Sequence, residues 1–203
     1  MTIITVFGDV ACPFTYVGLS MLFAERDRRA ADVRFRVRAW PLELINDAPL
    51  DPAHVSREVE ALRVVVPGSF AGFDPATFPR TSVPAFGLVD AAYERSDHDG
   101  ESAAIAVRVA LFERGLYIGD SDVLTGLAAA IGVTLPTDEA ARAIAERDHA
   151  AGQDLGVVGS PYFITRDRGW FCPMLAISQH EGRFTVTIDD TTKRDFINNV
   201  FDR

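Results

Sequence analysis

Apolar and polar positions divide the chain into three stretches. Ile3, Ile4, Thr5, Val6 and Phe7 form a short apolar run that reads as a strand. Residues 33–40 alternate apolar with basic side chains at a period of two, the mark of a half-buried strand. Between them, Val17, Leu19, Met21, Leu22 and Phe23 supply the apolar side of a helix that ends near the charged run 25–29. The spacing predicts a β-α-β unit whose helix crosses over between parallel strands.

Residues 41–155 carry no strand pattern. The Pro- and Gly-rich stretch 66–75 reads as a loop. Helical patterns follow at 85–93, at 103–112 with a stop at Gly115, and at 120–131 with Asp120 or Ser121 as cap and Gly132 as stop. A fourth begins at Thr137 and runs towards Gln153, with Asp138 and Glu139 suited to the positive end of the helix dipole. After Gly159, residues 162–165 and 170–172 read as strands flanking a turn at Arg166, Asp167, Arg168 and Gly169. Residues 184–188 alternate as a further strand, and an amphipathic helix at 193–201 closes the chain. The order is β-α-β, a helical block, β-β and α, without internal repeats. The simplest architecture is an α/β sheet domain formed by residues 1–42 with 156–203, interrupted by a helical insertion at 43–155.

Composition supports this reading. The chain has 203 residues, of which 48% are hydrophobic. That suits one large domain, or one with an insertion, and excludes a disordered chain. A net charge of −9 argues against nucleic acid and anionic membranes as partners, since both are polyanions. No apolar run approaches the roughly 20 residues of a membrane span. The first residues lack the basic and long apolar segments of a signal peptide, so a cytoplasmic location is expected. Two cysteines there are not to be read as a structural disulfide by default.

The chemistry concentrates at the first strand–helix turn, where Asp9, Val10, Ala11, Cys12, Pro13, Phe14, Thr15, Tyr16, Val17 and Gly18 follow the strand. A dithiol enzyme would have Cys-x-x-Cys here. This chain has Cys-Pro-Phe-Thr, and the Thr15 hydroxyl cannot close a disulfide on Cys12. A thiol at a helix N-terminus meets unpaired N–H groups and the positive end of the dipole. Cys12 is therefore expected to be partly accessible, with its pKa lowered from about 8.5. Pro13 suits the first helical turn, and Thr15 is placed to donate to the sulfur. The bland alternative for Cys12 is a small buried apolar residue. Cys172 is expected across from Ile164 or Phe163, as either an unusual resolving thiol or a core cysteine. Trp40, Pro41 and Phe14 either line an apolar groove beside Cys12 or belong to the core. His54, His98, His149 and His180 are scattered, read as surface residues and have no metal-ligand spacing, so no metal site is expected.

The order of elements, the Cys-Pro turn and Gly159-Ser160-Pro161 before a strand resemble the DsbA-like branch of the thioredoxin superfamily. Residues 9–18 are similar to the motif of FrnE-type proteins, whose helix opens with Cys-Pro-Trp-Cys-Tyr. The same branch contains 2-hydroxychromene-2-carboxylate isomerases and kappa-class glutathione transferases, where serine holds the place of Cys12. The stretches 107–115 and 120–124 share the likeness, which covers essentially the whole chain. Thr15 is the departure, since redox members carry their second cysteine there. The resemblance implies a thioredoxin-like α/β fold with a large inserted helical domain. It also implies a cis-Pro161 opposite the active turn, presenting the Ser160 backbone to a peptide-like ligand.

Three functions compete. The first is a monothiol oxidoreductase, with Cys12, Thr15 and Pro161 as the catalytic constellation. Pro13, Phe14, Ser160 and Trp40 would contact a small-thiol or peptide-like thiol substrate. It would need no tightly bound cofactor, only a low-molecular-weight thiol such as glutathione as co-substrate. The second is a small-thiol-dependent isomerase or transferase in which Cys12 stands in for serine. The third is a non-catalytic binding module on the same scaffold. The oligomeric state, a homodimer included, stays open.

Overall fold

The computed structural model describes residues 2–166 and 168–202. Strand β1 (Thr2–Gly8) and strand β2 (Val33–Ala39) pair in parallel, from Thr2 against Val33 to Gly8 against Ala39. Helix α1 (Pro13–Arg29) links them as the crossover. Pro13 occupies the first helical turn, Arg26, Arg28 and Arg29 sit in the last, and Ala30 ends the helix in a left-handed conformation. On the other side of β1, β3 (Tyr162–Ile164) runs antiparallel, and β4 (Gly169–Phe171) pairs with β3. The sheet order is β2-β1-β3-β4. β1 is the more deeply buried of the central strands, with Val6 and Phe7 closed off on opposite faces.

Helices α2 (Leu42–Ile45), α3 (Pro52–Val65), α4 (Val83–Arg95), α5 (Asp97–Phe112), α6 (Ser121–Ile131) and α7 (Asp138–Asp154) lie between β2 and β3, with a short 3-10 turn at Pro75–Thr77. Side-chain caps start most of them: Asp51 for α3, Ser96 for α5, Asp120 for α6 and Thr137 for α7. After β4, strands β5 (Leu175–His180) and β6 (Arg183–Ile188) form a separate antiparallel hairpin, which packs on α3. Helix α8 (Asp190–Phe201), capped by Asp189, closes the chain. One apolar core runs from the sheet (Val6, Phe35, Phe163) through α1 (Leu19, Leu22) into the helical block (Val107, Leu111, Ala141). A smaller cluster of Phe7, Trp40 and Val157 lies apart from it.

The parallel unit, the strandless middle and the return of strands after residue 159 follow the hydrophobic pattern. Helices α2 and α3 and strand β5 do not. α5 also begins six residues before the apolar run that announces it, and α8 three residues before its own. The expected turn at 166–169 is cut short because Gly169 already pairs with Ile164, while Asp167 lies outside the described residues. This register moves Cys172 beyond the strand pair. Its backbone N–H donates to the Pro161 carbonyl at 3.0 Å, so it stands opposite Pro161 rather than Ile164 or Phe163. Among the described residues, no helix is long and apolar enough to cross a membrane.

Candidate active site

The turn between β1 and α1 is built around Asp9. One carboxylate oxygen accepts from the Ala11 N–H at 2.8 Å and the other from the Leu42 N–H at 2.7 Å, which ties the turn to the start of α2. The Asp9 carbonyl accepts from the Cys12 N–H and from the guanidinium of Arg108, a fully buried side chain of α5. Burial pushes the Asp9 carboxyl above the usual range, and the backbone donors partly offset it. These bonds place Cys12 at the N-cap of α1 with extended backbone angles and no capping bond from its own side chain.

The Ser160–Pro161 peptide is cis and faces this turn. The Cys12 thiol donates to the Ser160 carbonyl at 3.4 Å. The Ser160 hydroxyl accepts from the Asp9 N–H at 2.8 Å and shares a hydrogen bond with the Thr15 hydroxyl, also at 2.8 Å. Thr15 is fully buried, and a Cβ at Gly8 would collide with its side chain, so glycine at position 8 makes room for it. Cys12, Thr15, Ser160 and Pro161, drawn from opposite ends of the chain, thus form one constellation.

Cys12 differs from expectation in two respects. It is 4% exposed, so it is a buried residue that meets solvent only where it lines a cleft. Its pKa is raised rather than lowered: desolvation is the largest cause and the nearby Glu58 charge adds to it. Hydrogen bonds from Ser160 and Thr15 pull the other way without reversing it. The helix N-terminus offers the thiolate donors, but loss of water outweighs them. Cys172 is also free and buried, with its thiol pushed up to about 12 by burial and by the neighbouring Cys12.

A cleft of about 420 Å³ opens over Cys12. Pro13, Phe14 and Ser160 line it; Trp40 does not. The Trp40 ring packs instead edge-on to Phe7 and His149, in a space that Gly152 of α7 leaves open. The opposite wall comes from α3, which contributes His54, Val55 and Glu58. His54, read as a surface residue, is half-buried: its Nε2 lies 3.4 Å from a Glu58 carboxylate oxygen and its ring meets Phe184 edge-on. His149 is also half-buried, whereas His98 and His180 are exposed. Burial raises Glu58 to about 7, against a small lowering by Arg57. Glu58 is the functional candidate that pattern reading missed. Its signal was the Val55, Val59, Leu62 spacing, which buries one face of α3. A groove of about 480 Å³ between the second half of α1 and α8 holds none of the turn residues. Among the described residues, no cluster of His, Cys, Asp or Glu could hold a metal ion.

A parallel β-α-β unit with a thiol at its helix N-terminus, faced by a cis-proline entering an antiparallel strand, defines a thioredoxin-type scaffold. Residues 3–176 match the DSBA-like thioredoxin domain, and the chain belongs to that family. No curated protein matches the sequence. Among solved structures it is similar to the cytosolic disulfide reductase DsbM from Pseudomonas aeruginosa, at 17% identity and a TM-score of 0.62 over 96% of this chain and 94% of that one. DsbM with GSH matches at 18% and 0.61, covering 83% and 88%. A 2-hydroxychromene-2-carboxylate isomerase matches at 16% and 0.60, covering 84% and 88%.

Proposed function

We propose that the protein is a DsbA-like thiol oxidoreductase of monothiol type, with Cys12 exchanging with disulfides or small-thiol adducts in the cleft. The observation that carries this reading is the Cys12 thiol at the cleft wall, held on the Ser160 carbonyl with the Thr15–Ser160 hydroxyl pair beside it. In the first step the Cys12 sulfur, as thiolate, attacks one sulfur of a disulfide. A Cys12–substrate S–S bond forms, the original S–S bond breaks, and the leaving sulfur departs with the electron pair and takes up the proton Cys12 gave up. Thr15 cannot resolve the adduct, so a second low-molecular-weight thiol does, becoming part of the new disulfide and returning Cys12. Thr15 and Ser160 supply hydroxyl donors to the sulfur while it is charged. A peptide-like substrate would run along Ser160. Two free thiols suit a reducing compartment such as the cytoplasm. The family and the structure of DsbM with GSH support a thiol co-substrate.

The raised pKa of Cys12 favours a second reading, a small-thiol-dependent isomerase or transferase. A neutral S–H would there donate a hydrogen bond to the thiolate of a bound cofactor and never attack. Intact mass after incubation with oxidised small thiols separates the two. A thiol-reversible adduct, absent in Cys12→Ser, supports exchange. Tight binding of a small thiol without an adduct supports the second reading. If neither is seen, both fail and the scaffold is a binding module.

A further inference from the structure

We propose that the small-thiol partner of Cys12 is cationic, with an ammonium group that the Glu58 carboxylate receives and no carboxylate of its own; this rests on the exchange reading above. The cleft is built unevenly. Phe14, Leu50, Val55, Phe171 and Ile177 make most of it apolar, and its polar groups are few. Among the described residues that line it there is no arginine or lysine. Glu58 is the only carboxylate among the described residues that line it. The Glu58 side chain is 16% exposed; the His54 imidazole lies 3.4 Å from one of its oxygens, and Arg57 is the cation whose charge reaches it. Arg57, next along α3, is exposed and directs its guanidinium to His54 Nδ1 at 3.4 Å.

A carboxylate in such a wall is poorly solvated and poorly paired, which agrees with its affinity for a proton near neutrality. An incoming ammonium group satisfies it, while carboxylates on a thiol would meet a like charge and no fixed cation. The apolar side chains take the methylene and sulfur part of the ligand, and a cleft of about 420 Å³ suits a small disulfide. In the exchange step the sulfur nearer Cys12 forms the new S–S bond. The other half leaves as a thiolate and is protonated.

The test compares three disulfides that undergo the same step: cationic cystamine, neutral bis(2-hydroxyethyl) disulfide and anionic oxidised glutathione. Adduct formation on Cys12 is followed by intact mass, and each rate is divided by that of the same disulfide with free 2-mercaptoethanol to remove intrinsic reactivity. The expected order is cystamine, then the neutral disulfide, then oxidised glutathione. Neighbouring members should differ by about five- to tenfold, the scale of one partly buried charge pair, and the spread should shrink in high salt. Glu58→Gln also changes the charge felt by Cys12, but that effect is common to all three probes and cancels in their ratio. The cystamine-to-glutathione ratio should therefore fall towards one in this variant. Equal normalised rates, a preference for oxidised glutathione, or a ratio unchanged by Glu58→Gln would overturn the inference. Absence of adducts with all three disulfides would overturn the exchange reading itself, and the inference with it.

Discussion

Thr15 sits where a second thiol would complete a redox pair, and its surroundings are made for a small side chain. It is fully buried, its hydroxyl meets Ser160 at 2.8 Å, and Gly8 leaves space for it. Positions 12 and 15 lie three apart at the first turn of α1, the spacing at which helical side chains share a face. Thr15→Cys is therefore expected to form a disulfide with Cys12 under oxidation and to reduce insulin faster than the parent does; a folded variant without that gain would refute the geometry. The two native thiols should also differ. Cys12 lines a cleft, whereas Cys172 is held at about 12 behind Pro161. Iodoacetamide should label Cys12 first, read by peptide mass. Because burial raises Cys12 above an ordinary thiol, its labelling rate should still be climbing at pH 9 instead of levelling off below neutrality. Cys12, Thr15, Ser160 and Pro161 were legible because each sits at a junction of strand, turn and helix. The acidity of Cys12 was not, because desolvation depends on what folds over the turn from far along the chain. Trp40 stayed open between two places because its aromatic ring reads the same whether it lines a groove or fills a core.

At the scale of elements, the wall of the cleft was the hardest part to read. Helix α3 hides its apolar positions, Val55, Val59 and Leu62, among charged neighbours, and only Leu175 of β5 is buried. β5 has no period of its own, the i, i+4, i+7 spacing of α3 is easily lost among its charges, and packing that a local pattern does not contain stabilises both elements. The strand–helix–strand unit, in contrast, has its whole signal within 40 residues. The loop after α3 shows how such segments are held. Glu113, at the end of α5, accepts from the backbone N–H groups of Phe70 and Ala71 at 2.8 and 3.1 Å and from the Tyr16 hydroxyl at 2.8 Å. One side chain thus pins the loop to α1, with Phe70 packed edge-on to Tyr16 and Phe112. Glu113→Ala leaves these donors without their acceptor and should cost about 2–4 kcal/mol by urea denaturation. Glu113→Gln keeps one acceptor oxygen and should lose less. Equal losses would mean that the one acceptor oxygen kept in Gln cannot hold these donors and that both carboxylate oxygens are required.

For the whole molecule, two carboxyl groups with opposite shifts give stability a distinctive pH dependence. Arg28 and Arg29 hold Glu25 down to about 2, so its contribution is present above the ordinary carboxyl value and is lost as pH falls through 2. Glu58 behaves in the opposite way. Its carboxyl rises from 4.5 to about 7 because folding removes it from water, with Arg57, His54 and Cys12 as the titratable or charged groups around it. The folded state therefore holds the Glu58 proton more tightly than the unfolded chain does. Its contribution is complete below 4.5 and disappears as pH rises through 7, with a magnitude of about 3 kcal/mol at most. Asp9, raised by burial, acts in the same direction. Stability should accordingly peak near pH 5 and decline towards pH 8, and the larger negative charge of this acidic protein at the higher value acts in the same direction. Glu58→Gln keeps the shape of the side chain and removes its titration. Urea unfolding at pH 5 and pH 8 should show the parent losing about 2 kcal/mol more between those values than Glu58→Gln does. Equal losses in the two proteins would place Glu58 in contact with water, where its carboxylate would have no need of a cationic partner in the cleft.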